Sequence, residues 1–177
     1  MNLRRVGTLM LALLFTYPVF PAQRKAKAVY CVRSSSGEWN LQRLRPLINP
    51  RAGTVFAQMS FTGSVLETVR LRQFHPDREV AFEYKFDRLG RLTGLLGDVE
   101  MWGQWLAEAD LYPETDGIVG PVKVKYYRSR NRERIQRPED SQEYEVELSK
   151  VPVYMTIRSL PCASMLKEAE KMNATQE

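Results

Sequence analysis

The residues able to do chemistry are few and unevenly placed. His75 is the only histidine in 177 residues. An imidazole metal site would therefore have to borrow carboxylates or thiols, and a Ser-His-Asp arrangement would have to use this one ring. The chain has no His-Glu-x-x-His, no paired Cys-x-x-Cys, no glycine-rich phosphate loop and no Gly-x-Ser-x-Gly elbow. No catalytic residue, metal ligand or cofactor is assigned, and the balance leans away from an enzyme. Carboxylates acting as acid and base leave no spacing signature, which keeps a small carboxylate-based hydrolase as a third reading behind two binding functions.

Two clusters suit binding. Arg128, Arg130, Arg132, Arg134 and Arg137 follow Lys123 and Lys125, with Glu133 the one acidic interruption. Guanidinium groups pair bidentately with planar oxyanions, so this stretch is a candidate anion site for phosphate, sulfated glycan or an anionic surface. Glu139, Asp140, Glu143, Glu145 and Glu147 follow at once, and the competing expectation is a hairpin whose two arms neutralise each other. Tyr126 and Tyr127 lie beside the arginines without interleaving with them, which argues against nucleic acid. The second cluster is apolar. Trp102 and Trp105, with Phe82, Phe86, Met59 and Met101, could line a curved sheet and carry a lipid or another hydrophobic ligand; such residues also fill ordinary cores.

The ends of the chain say where these groups work. Arg4 and Arg5 precede an apolar run from Leu9 to Phe20, and small residues follow at Ala22, Ala26 and Ala28. That order is a secretory signal peptide, residues 1–22, with cleavage as late as Ala28 as the alternative. The run is too short to span a bilayer as a helix, so the mature chain is expected to have no transmembrane span and to be secreted or periplasmic. The formal charge of +5 falls by two to +3 when Arg4 and Arg5 leave, and to zero if Arg24, Lys25 and Lys27 leave as well. Basicity is thus a property of the leader, not a sign of a nucleic-acid partner. Cys31 and Cys162 are the only cysteines; in an exported chain they are expected to form a disulfide, which would stabilise the fold by up to about 5 kcal/mol.

The elements that must position these groups are read from period. Trp39, Leu41, Leu44, Leu47 and Ile48 suggest a short helix. From Thr54 the period is two: Val55 to Phe61, Val65 to Arg72, and Val80 to Phe86 read as antiparallel strands with one buried face. Gly97 to Tyr112 fits a helical stripe through Trp102, Trp105 and Ala109, or a strand burying Val99, Met101, Trp105, Ala107 and Ala109; its β neighbours favour strand. Pro113 to Gly117 reads as a turn, Val122 to Tyr127 and Glu143 to Leu148 as strands, and Val151 to Ile157 as a last strand. The tail, 164–177, is polar, helix-prone and expected to fray; it holds a sequon, Asn173-Ala174-Thr175.

Two short resemblances bear on the turns. Tyr84 to Thr93, with Asp87-Arg88-Leu89-Gly90 at its centre, resembles one YD repeat, a β-hairpin unit, which implies a hairpin there. His75-Pro76-Asp77 followed by Arg78 is similar to the signature loop of J domains, which implies a helix on either side. The alternation after Val80 instead favours a β-turn, with Pro76 and Asp77 at its centre and His75 exposed. The expected fold is all-β and mainly antiparallel, about eight strands in a sandwich or partly closed barrel with one or two short helices, as a single domain over 29–163. The expected function is a non-catalytic binding module for an unknown protein, lipid or anionic ligand, with a hydrophobic-ligand carrier as the alternative.

Overall fold

The computed structural model describes residues 27–113 and 123–175. The expected leader and the turn after Pro113 lie outside these residues. β1 (Lys27–Arg33) and β2 (Trp39–Gln42) form a hairpin, and β3 (Val55–Thr62) returns on the other side of β1. From there β4 (Val65–Phe74), β5 (Arg78–Phe86), β6 (Leu92–Met101), β7 (Trp105–Leu111), β8 (Lys123–Arg128) and β9 (Arg134–Ile135) each pair antiparallel with the strand before. The result is one nine-stranded sheet ordered β2-β1-β3-β4-β5-β6-β7-β8-β9. It does not close into a barrel; its edges are strands of four and two residues, short enough to offer little template for another chain.

Alternation gives the sheet two different faces. The inner face buries Val29, Cys31, Ala57, Met59, Val80, Phe82, Tyr84, Leu95, Val99, Met101, Trp105, Ala107 and Ala109. Its cover is not a second sheet but the chain from 138 onward, a strap that crosses the strands. α1 (Gln142–Ser149) lays Tyr144 and Leu148 on the sheet. A Cβ at Gly97 would stand 2.9 Å from Leu148 Cδ2 and 3.0 Å from Leu111 Cδ1, so the missing side chain on β6 lets α1 approach. Beyond α1, the buried Tyr84 hydroxyl donates to the Pro152 carbonyl at 2.8 Å, and Ile157 N–H donates to Gly90 O at 2.9 Å. The Cys31–Cys162 disulfide ties the strap to β1, spanning 131 residues with Cα atoms 6.5 Å apart. α2 (Leu166–Ala174) then buries Ala169 in the core, and Asn173 Nδ2 donates to Gly63 O at 2.7 Å.

Several expectations change. Residues 39–48 hold β2 and an irregular loop instead of a helix. Gly97 to Tyr112 is strand, but two strands: the chain reverses at Trp102-Gly103-Gln104, where Gly103 takes φ +72°. Glu143 to Leu148 is helical, so no acidic strand faces the arginines. Val151 to Ile157 forms no strand: it makes only an isolated bridge, Thr156 to Arg91, and Ile157 opens a 3-10 turn, Ile157–Ser159. The tail is docked as α2, which leaves the sequon asparagine buried and hydrogen-bonded. The turn at Asp87 follows the hairpin expectation, with Gly90 N–H on Asp87 O at 2.9 Å and φ +73° at Gly90.

Candidate functional site

The strap does not seal the inner face completely. Where β4 turns into β5, His75 N–H donates to Arg78 O at 2.8 Å, and Pro76 and Asp77 make the two-residue connection. Downstream of that turn Arg78 points along the inner face. Its Nε and Nη2 donate to Glu147 at 3.2 and 2.5 Å, its Nη1 to both Asp77 oxygens at 2.9 Å, and its guanidinium lies 5.2 Å from the Tyr144 ring centre. The bond to Glu147 raises the pKa of Arg78 above its ordinary value, against the opposing pull of burial. The C-terminal end of α1 is thereby held over the turn.

Between them remains a groove of about 310 Å³. Val55, Leu71, Val80 and Phe82 give its apolar floor; His75, Gln73, Glu147 and Lys150 give its polar rim. His75 is half-buried here, not exposed as expected from its turn. Glu147 is occupied by Arg78, whereas the Lys150 ammonium has no carboxylate partner among the described residues. An apolar floor with one uncommitted cation at the rim is chemistry for a small amphiphile with an anionic group.

The five arginines are not gathered into one anion site. Arg128 Nε lies 3.7 Å from Glu133, Arg132 donates to Glu108 at 2.5 Å, and Arg137 Nε lies 2.9 Å from Glu145. Arg130 and Arg134 are exposed and have no ion pair among the described residues. Arg132 sits at φ +57°, where the β8–β9 turn reverses. Neutralisation is therefore real, but its partners come from the turn, β7 and α1 instead of one opposing strand. Tyr126 also donates to Glu145.

The outer face is an ionic lattice. Arg70 bonds both Asp98 oxygens at 2.7 and 2.5 Å and reaches Glu83 at 3.5 Å; Arg72 bonds both Glu79 oxygens at 2.6 and 2.7 Å. Glu108 stands directly opposite Asp98 across β6 and β7. Burial pushes the Asp98 carboxyl up to about 6, against the pull of Arg70 and with help from Glu79 and Glu108. Such a shift beside a second carboxylate can mark an acid–base site. Both carboxylates are held by guanidinium groups in this case, around a depression of about 190 Å³.

The two tryptophans separate onto opposite faces. Trp105 is buried inside, edge-on to Tyr126 and Tyr144 at 6.1 and 5.5 Å. Trp102, at the reversal, stacks on Phe74 at 6.2 Å and 9° on the outer side, and its Nε1 donates to His75 O at 3.3 Å. They do not line one cavity. Of the groove residues the sequence offered Phe82 as a ligand-lining candidate, but not Leu71 or Lys150, which meet only through the strap's path. Among the described residues no group of three or more His, Cys, Asp or Glu is placed to hold a metal ion, and no helix is long and apolar enough to cross a membrane. Comparison with protein families, with curated proteins and with solved structures finds no match.

Proposed function

We propose that the chain is an exported, non-catalytic binding domain whose ligand site is the groove beneath α1, and that the ligand is a small apolar molecule carrying an anionic group. The observation that carries this reading is the coincidence of an apolar floor, Leu71, Val80 and Phe82, with the Lys150 ammonium, which has no carboxylate partner among the described residues, at the rim of a 310 Å³ space. That volume lies at the lower end for ligand sites. A space of that size favours a short ligand over a long-chain lipid. The disulfide fits an oxidising, extracytoplasmic compartment. Processing after Ala22 would leave β1 whole, whereas processing after Ala28 would remove Lys27 and Ala28 from their pairing with Phe61 and Ser60.

An anion site at Arg128, Arg130, Arg132, Arg134 and Arg137 is the weaker reading, because three of the five are engaged by carboxylates. A carboxylate hydrolase at Asp98 and Glu108 is weaker still, since both groups are fixed by arginines. The test is fluorescence of 1-anilinonaphthalene-8-sulfonate, an apolar sulfonate, on the natively folded protein. One saturable site is expected, displaced by octanoate with a Kd of about 100 µM or tighter and weakened about tenfold by Lys150→Glu. Unsaturable probe binding, or binding indifferent to both octanoate and Lys150→Glu, would overturn the proposal.

A further inference from the structure

We infer that the loop between β2 and β3 docks the protein on an anionic membrane surface. Its tip, Leu44-Arg45-Pro46-Leu47-Ile48, presents apolar side chains to water: Leu44 is 81% exposed, Leu47 96% and Ile48 38%. The loop is pinned on either side of this tip. Arg43 Nη2 donates to Thr175 Oγ1 at 3.0 Å, and Asn49 N–H donates to Thr54 Oγ1, which donates back to Asn49 O, both at 2.9 Å. Held this way, the leucines stand away from the core instead of folding onto it. Folding alone gives no reason to expose them so fully, because burial of such side chains is favourable wherever a surface is offered.

The charge pattern identifies the surface. From Trp39 to Leu66 the chain has no aspartate or glutamate and has Arg43, Arg45 and Arg51. Arg45 and Arg51 have no carboxylate partner among the described residues. Exposed apolar side chains interleaved with arginines match a lipid interface, where the leucines enter the acyl boundary and the guanidinium groups stay with anionic headgroups. Nucleic acid fits less well, because the tip has no aromatic ring to stack on a base. A second copy of the chain fits less well too: a two-fold contact through this loop would set its own arginines against each other.

The experiment is sedimentation of the full chain with phosphatidylglycerol-containing vesicles and with pure phosphatidylcholine vesicles. Each loop variant is compared with the parent, so residues outside the loop contribute equally. Leu44→Ser with Leu47→Asp is expected to lower partition onto the anionic vesicles by about tenfold or more. Arg45→Glu with Arg51→Glu is expected to do the same there and to leave phosphatidylcholine partition unchanged. Arg130→Glu with Arg134→Glu, at the other edge of the sheet, is expected to stay within about twofold of the parent. These positions are exposed, so melting temperatures should hold and a failure to fold would be visible. The inference is overturned if the parent shows no preference for phosphatidylglycerol, or if both loop variants bind as the parent does. It is equally overturned if the loop variants instead convert a dimer to a monomer in sedimentation equilibrium.

Discussion

The two faces of the one sheet obey opposite rules. Inside, buried apolar side chains from β1 and from β3 to β8 are covered by a strap that arrives last in sequence and is bolted down at Arg78, Tyr84, Gly90, Cys31 and Gly63. Outside, nothing comparable covers β4 to β7, and charged residues answer one another across strands, Arg70 to Asp98 and Glu83, Arg72 to Glu79, Arg132 to Glu108. The outer lattice satisfies itself and leaves few groups seeking a partner. The inner face depends on its cover, and the proposed ligand groove lies at a gap in that cover, between Phe82 and Lys150.

The comparison can be broken most strongly at the bolt. Replacing Cys31 and Cys162 by Ala should cost about 3–5 kcal/mol in denaturant unfolding, because it frees a chain of 131 residues in the unfolded state. The loss should fall on the strap, seen as faster amide exchange in α2 than in the central strands. A smaller effect is expected at the seat of α1. Gly97→Val would drive a side chain into Leu148 and Leu111 and should cost about 1–3 kcal/mol. It should also weaken octanoate binding by shifting α1 away from the groove, as calorimetry would read.

The outer face responds to pH. Asp98 titrates near 6 when folded and near 3.8 as a free side chain. Below about pH 4 both states hold the proton and the group contributes nothing to the difference. Between about 4 and 6 the unfolded chain has released it while the folded protein keeps it, so stability falls as pH rises; above 6 the loss is constant. The total is about 2–3 kcal/mol. Asp98→Asn should flatten this segment of the stability curve in urea titrations, and an unchanged slope would show that Arg70 holds the carboxylate ionised throughout.

Much of the sheet was legible because one covered face forces strict alternation, as in Val80, Phe82, Tyr84 and Phe86. The same regularity hid the β6–β7 reversal. A three-residue turn returns the chain in phase, so Met101 and Trp105 stay on the inner side and the odd-numbered pattern runs through the hairpin unbroken. α1 was misread for a related reason. Tyr144 and Leu148 are buried four apart, as a helix requires, but Val146 between them completes a false period of two while being 45% exposed. The disulfide could be anticipated from cysteine count. The groove could not, since it joins His75 and Phe82 to Lys150 by a path set only once α1 is packed on Gly97. Nor could the pairing of Asp98 with Glu108, which depends on strand register.

The most direct test is a ¹H–¹⁵N NMR titration of the folded protein with octanoate. The expected result is saturable shifts at the amides of Leu71, Val80, Phe82 and Lys150, with the outer positions Arg70, Glu83 and Asp98 undisturbed apart from through-strand effects. Shifts confined to the outer face, or none at any site, would contradict a ligand groove beneath the strap.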